Sequence, residues 1–292
     1  GHDPGQDVLD ALDADRSGTA IDDDLLRLVF TACHPVLSAE SRVALTLRVL
    51  GGLSTPEIAR AFLVSEATVA QRIVRAKRTL AEACVPFETP DGPERRRRLE
   101  SVLEVVYLIF NEGYSATAGD DWLRTDLCEE ALRLGRVLVG LMQDEAEVHA
   151  LVALMEIQDS RRHARTGPDG EPVLLLDQDR AKWDWSQIER GLTALTRADA
   201  VYAARRAAEA TGKAEPGEGA ERPETAESPV GTEPGAYHLQ AAVAACHARA
   251  RTPEATDWRL IADLYDLLVH RTRSPVVELN RAIAVAEAEG PE

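Results

Sequence analysis

The chain reads as an all-α protein, and three features of the sequence lead there. Aromatic residues make up only 4% of its 292 positions while Ala, Leu, Arg and Glu dominate. That composition favours helices and disfavours sheets, whose interiors want β-branched and aromatic side chains. Apolar residues recur at spacings of three and four, the period of one helix face. Pro and Gly gather in a few stretches that separate these periodic segments. The length suggests about two domains, and an apolar content of 45% gives each of them a core.

Several classes drop out early. The sequence has no apolar, uncharged run of roughly 18 residues, and its first residues, GHDPGQDVLDALDAD, are acidic where a secretion signal is basic and then apolar. No membrane partner is expected, and a cytoplasmic location is. The four cysteines, Cys33, Cys84, Cys128 and Cys246, form no CxxC pair, so neither a disulfide framework nor a zinc ribbon is indicated. Cys33-His34 and Cys246-His247 are chain neighbours that point about 100° apart on a helix, which suits joint ligation poorly. No metal and no cofactor are expected.

Charge is uneven. The net charge is -17, yet from Ser41 to Glu82 seven bases stand against three acids. A basic island in an acidic protein is the footprint of a small nucleic-acid reader joined to something else.

Residues 1–21 are rich in Asp and Gly and read as a flexible acidic linker. Residues 22–87 hold the island. Ser54-Thr55-Pro56-Glu57 fits a capping box, with Ser54 as N-cap, Glu57 reaching back, and Pro56 tolerated in the first turn. Ile58, Ala59 and Phe62 share one face of the helix that follows. Ser65 supplies a second N-cap, and Val69, Ile73, Ala76 and Leu80 mark one face of a second helix. Two helices joined by about three residues form a helix-turn-helix.

The opposite face of the second helix carries Glu66, Thr68, Gln71, Arg72, Arg75 and Arg78. Gln71 and Arg75 are four apart, and amide and guanidinium groups pair with adenine and guanine edges in the major groove. Arg72, Lys77 and Arg78 suit phosphates, with Arg42 and Arg60 as weaker phosphate candidates. The candidate DNA-binding set is therefore Ser65, Glu66, Thr68, Gln71, Arg72, Arg75, Lys77, Arg78, Arg60 and Arg42.

The stretch HPVLSAESRVALTLRVLGGLSTPEIARAFLVSEATVAQRIVRAKRTL resembles region 4 of bacterial sigma factors of the extracytoplasmic-function group. The resemblance implies that the second helix reads the −35 promoter element and that the region docks on the β flap of the RNA polymerase core. Two departures stand out. Relatives often have Gly where Leu63 stands, and a left-handed Leu costs about 1 kcal/mol, so a wider turn is expected. Relatives also often carry a base at the position of Ala70, which shifts the promoter contacts onto Gln71 and Arg75. Region 2 of such a factor would stand upstream of the acidic linker and is missing from this chain, which reads either as a fragment or as a DNA-binding protein that never had that domain.

Residues 88–210 follow a Pro/Gly break. Arg95 to Arg98 open this part and read as a solvated or ion-paired face rather than a DNA contact. Leu99, Val102, Leu103, Val106, Ile109 and Phe110 mark one amphipathic helix; Leu127, Ala131, Leu134 and Leu138 a second; Val148, Leu151, Val152 and Met155 a third; Ile188, Leu192 and Leu195 a fourth. Asn111, Glu112, Tyr114, Arg124, Asp126, Asp159, Arg161, Arg162, Asp179 and Arg180 lie between and within them. Without a nucleophile, phosphate loop or metal spacing they read as ion pairs and caps, and no enzyme is expected.

FNEGYSA, LCEEALRLGRVL, QDSRRHAR and LLLDQDRAKWDW are similar to the helical extension of a sigma-factor subgroup with a large tetratricopeptide-like C-terminal domain. There the resemblance implies that the extension takes the place of a separate anti-sigma regulator and binds a regulatory protein partner. Residues 211–236 are rich in Pro, Gly and Glu and read as a disordered linker. In residues 237–292, Trp258, Ile261, Ala262 and Tyr265 have offsets resembling the first helix of one tetratricopeptide repeat, with SPVVELNRAIAVAEA as its second and a truncated C-terminus expected.

The expected function is thus a transcription initiation segment that reads promoter DNA and docks on polymerase. The alternatives are a one-component helix-turn-helix regulator with a ligand-binding helical domain, or a protein-binding repeat scaffold.

Overall fold

The computed structural model describes residues 18–115, 122–212 and 232–290, and every regular element among them is helical, with one antiparallel bridge between Thr166 and Pro172. The acidic linker expected over residues 1–21 lies outside the described residues as far as residue 17, and so does most of the linker expected over 211–236. The chain divides into two compact units, Gly1–Leu141 and Met142–Glu292.

In the first unit, α1 (Gly18–Ala32) buries Leu26, Leu28, Val29, Phe30 and Ala32. α2 (Ala39–Val49) starts at Ser38, whose hydroxyl accepts from the Ser41 N–H, and buries every residue from Arg42 to Leu47. A helix buried all round needs neighbours on several sides. It has them in α3 (Thr55–Ala61), α4 (Glu66–Glu82) and α5 (Gly92–Ser115), while α5 packs along α6 (Trp122–Leu141). The expected core positions of α5 and α6, including Val102, Val106, Ile109, Phe110, Leu127, Ala131 and Leu138, are all buried. At the end of α2, Arg133 of α6 donates to the Leu50 carbonyl at 2.7 Å and pairs with Glu130 at 2.6 Å, a cap supplied by a different helix. The first unit thus extends well past Phe87, because α2 needs α5 to cover its second face.

In the arginine cluster at the start of α5, Arg97 and Arg98 are ion-paired. Glu94 accepts from Arg97 and, at 2.9 Å, from Arg98; the Arg98 hydrogen bond, with the charges of Arg97 and Arg98, holds its carboxyl below the usual range.

In the second unit α7 (Ala146–Asp159) is the central helix, with Val148, Leu151, Val152 and Met155 among its many buried residues. It packs against α8 (Trp185–Gly212) and α9 (Ala236–Arg249); α9 in turn meets α10 (Trp258–Thr272), which pairs with α11 (Pro275–Glu289). Gly191 lets α8 approach α7 closely: a Cβ there would stand 2.6 Å from Ile157 Cγ1 and 3.2 Å from the Ala153 carbonyl oxygen. The N-terminus of α9 has no side chain of its own to cap it, since Gly235 is the N-cap. Glu147 of α7 supplies the anion instead, accepting from the N–H groups of Tyr237 at 3.0 Å and His238 at 3.1 Å, and from the Tyr202 hydroxyl at 3.0 Å.

The polar residues between these helices hold packing geometry. Asp159 accepts from Arg162 at 2.8 Å and from Gln187 at 2.9 Å. Asp179 caps the short 3-10 turn Arg180–Lys182. Arg180 lies 4.7 Å from the centre of the Trp183 ring and donates to the carbonyls of His247, at 2.8 Å, and Ala250.

Candidate nucleic-acid interface

The basic island folds as a helix-turn-helix whose caps are set by the residues that the sequence nominates. The Ser54 N–H donates to Glu57 Oε2 at 2.7 Å while the Ser54 hydroxyl accepts from the Glu57 N–H, the two halves of a capping box. Hydrogen bonding to Ser54 holds the Glu57 carboxyl below its ordinary range. At the head of α4 the Ser65 hydroxyl accepts from the Thr68 N–H at 3.1 Å. α4 is anchored by Val69 and Ala76, both buried, and Ala76 shares a cluster with Ala32, Leu37 and Leu45, against which Ile73 and Leu80 also pack.

The turn is not widened by Leu63. Leu63 takes the left-handed conformation itself, at φ +50°, and α3 ends in a Schellman motif: Val64 N–H donates to the Ala59 carbonyl at 3.0 Å and Leu63 N–H to the Arg60 carbonyl at 3.2 Å. Cys84 ends α4 in the same way at φ +48°, with Val85 N–H on the Leu80 carbonyl and Cys84 N–H on the Ala81 carbonyl. The local hydrogen bonds outweigh the strain of a side chain at these positions, and a tight turn between α3 and α4 results.

Around α4, Glu66, Gln71, Arg75, Lys77 and Arg78 are exposed, and Ser65 is exposed at its head. Gln71 and Arg75 lie one turn apart on the outer surface, and Arg75 has no ion-pair partner among the described residues. Val74 stands between them, 64% exposed, a position that the apolar spacing of the sequence leaves unassigned. An apolar side chain beside an amide and a guanidinium on one outer face suits a thymine methyl next to adenine and guanine edges. The available signal was its misfit: Val74 breaks the periodicity of the buried face. Arg78 pairs with Glu82 at 2.6 Å, both exposed, so it reaches a phosphate only by exchanging that partner. Arg60 is exposed near the end of α3. Thr68 is half-buried, its hydroxyl 2.8 Å from that of Ser65.

Two members of the expected set sit elsewhere. Arg72 is half-buried and lines an open groove of about 240 Å³ with Glu40, Val43, Ile58, Phe62, Leu108 and Glu112. Two carboxylates at the groove compete with any phosphate for its guanidinium. Arg42 is buried, only 9% exposed, and donates to Glu104 at 2.9 Å and to the Ser101 hydroxyl, both on α5. Its place on α2, where α5 covers the helix, removes it from any phosphate surface.

Among the described residues no group of three His, Cys, Asp or Glu is placed to hold a metal ion, and no helix is long and apolar enough to cross a membrane.

Residues 27–80 match the profile of a family described as sigma-70, region 4, and residues 98–199 match a family of unknown function, DUF6596. An uncharacterized protein of Rhizobium meliloti (strain 1021) is 45% identical over 296 aligned positions, which take in 99% of this chain. The chain spans 63% of that relative's length. No solved structure matches. Residues 27–80, which hold the helix-turn-helix, are thus similar to sigma-70 region 4, and residues 98–199 to the DUF6596 family.

Proposed function

We propose that this chain, similar first to sigma-70 region 4 and then to the DUF6596 family, is the part of a transcription initiation factor that reads the promoter −35 element and docks on the β flap of the RNA polymerase core, with its helical extension as regulator. The observation that carries the reading is the outer face of α4. Gln71, Val74 and Arg75 are exposed there on a helix whose other side is locked into the core by Val69 and Ala76. A rigid, capped helix presenting those groups can enter the major groove, with Gln71 bidentate to adenine, Arg75 bidentate to guanine and Val74 on a thymine methyl. Lys77, Arg78 and Arg60 flank that face and contribute phosphate contacts, while Ser65, Glu66 and Thr68 set the N-terminal end of α4 against the duplex. The chain performs no chemistry; the polymerase does.

The regulatory role of the extension draws support from its first helix. α5 supplies part of the first unit's core and the partners of Arg42, so a regulatory protein that displaced α5 would disturb α2 and, through it, α4.

The deciding experiment measures binding of the 292-residue chain to the isolated β flap domain and to a randomised duplex library. The reading expects flap binding and enrichment of one short motif. Failure to bind the flap where a known region 4 does, together with enrichment of palindromes, would overturn it in favour of a one-component regulator.

A further inference from the structure

The groove beside Arg72 has an apolar lining, together with one base and one acid that are unpaired among the described residues. Val43 and Ala44 of α2, Ile58 and Phe62 of α3 and its end, and Leu108 of α5 supply the apolar part, and the groove measures about 240 Å³. That volume is somewhat below the range of drug-sized ligands and suits a small metabolite. Arg72 of α4 and Glu112 of α5 are both half-buried, and neither forms an ion pair or a side-chain hydrogen bond among the described residues. Arg42 and Arg98, also withdrawn from water, each meet a carboxylate at 2.9 Å, Glu104 and Glu94. Arg72 is the exception, and a charge that gives up water without a partner is costly.

The charges say what fits. Glu40, the second acid at the groove, is exposed and already hydrogen-bonded to Ser38. A ligand with only an ammonium group leaves Arg72 without a partner. One with only a carboxylate leaves Glu112 without one and sets its own charge against Glu40. A ligand that carries both groups on an apolar body satisfies all of the lining, and an α-amino acid with an apolar side chain bears those three parts on one carbon.

We propose that the groove binds a free α-amino acid with an apolar side chain, its carboxylate held by Arg72, its ammonium by Glu112 and its side chain by Ile58, Phe62 and Leu108. Arg72, Ile58 and Phe62 lie in the segment similar to sigma-70 region 4, and Leu108 and Glu112 in the segment similar to the DUF6596 family, so the bound ligand ties α4 to α5. The proposal is independent of what the outer face of α4 binds, because Gln71, Val74 and Arg75 take no part in the groove.

Isothermal titration of the 292-residue chain with L-leucine, L-methionine and L-phenylalanine tests it. At least one of them is expected to bind at a single site with a Kd of about 10 μM to 1 mM. For the tightest of the three, the amide, which lacks the carboxylate, and the desamino acid, which lacks the ammonium, should each bind at least about tenfold more weakly. Arg72→Gln should leave the amino acid no better a ligand than its amide, and Glu112→Gln should bring it level with the desamino acid. Neither side chain is fully buried or paired, so helix content should not change in either variant. No binding by any of the three up to about 10 mM, equal binding of the amino acid and either analogue, or variants that keep the tenfold preference would each overturn the proposal.

Discussion

Arg42 and Glu104, 62 positions apart in sequence, are joined by a 2.9 Å ion pair between α2 and α5. Ser101 completes the join: its hydroxyl lies against the Arg42 guanidinium and donates to the Cys33 carbonyl at 2.6 Å. The helix-turn-helix and the helix after it are therefore parts of one core. Arg42→Ala is expected to lower the stability of the first unit by about 1–2 kcal/mol, since it removes a buried side chain and its hydrogen bonds to Ser101 and Glu104, while the half-exposed Glu104 stays hydrated and Ser101 keeps the Cys33 carbonyl. Thermal unfolding followed by circular dichroism reads the loss. The salt dependence of DNA binding by the folded variant should keep its slope, whereas a phosphate contact would lower it by about 1.

The outer face of α4 makes a different demand. Gln71→Ala and Arg75→Ala should each cost about 1–3 kcal/mol on the preferred site and relax specificity at one base position, while Lys77→Ala should weaken all duplexes alike. Val74→Ala should reduce the preference for thymine over uracil at its position, because only thymine offers the methyl group. Competition titrations with single-substituted duplexes separate these outcomes; equal losses on every sequence would remove Gln71 and Arg75 from base reading.

Leu63 is 70% exposed and holds φ at +50°. Leu63→Gly relieves the left-handed strain and should stabilise the first unit by about 0.5–1 kcal/mol without changing DNA affinity. Chemical denaturation measures it. A destabilised variant would mean that the Leu side chain contributes more than its backbone costs.

The second unit should respond to pH through His247. Its ring is buried edge-on against Trp258 at 5.2 Å, and burial, then Arg161 and Arg180, push its pKa down to about 4. The unfolded chain takes up that proton near 6.5 while the native chain resists it. Stability from this group is complete above about pH 6.5 and is lost as pH falls toward 4, an effect on the order of 2–3 kcal/mol. Unfolding monitored at several pH values should show a shallower acid decline for His247→Phe than for the unaltered chain; parallel curves would refute the assignment.

Much of the fold was legible because its signals are local. The Ser54 capping box, the Ser65 cap and the periodic apolar faces of α4 to α8 depend on residues within a turn or two, and each stands where its spacing put it. The turn at Leu63 misled because the sequence shows the strain of a left-handed Leu but not the two hydrogen bonds that offset it. Val74 is hidden from the spacing for a related reason: apolar periodicity registers residues that match a buried face, and an exposed Val is the exception to it.

What the sequence determined by itself was the all-helical class, the helix-turn-helix and the exposed pair Gln71 and Arg75, all consequences of periods and caps that a short segment carries within it. Only the tertiary structure decided that Arg42 belongs to the core, that Arg72 faces Glu40 and Glu112, and that Glu147 caps α9 from another helix. An arginine reads the same in sequence whether it meets a phosphate or a carboxylate, and its partner here lies dozens of residues away. Which charge it meets depends on which helix covers it, and that is settled by packing.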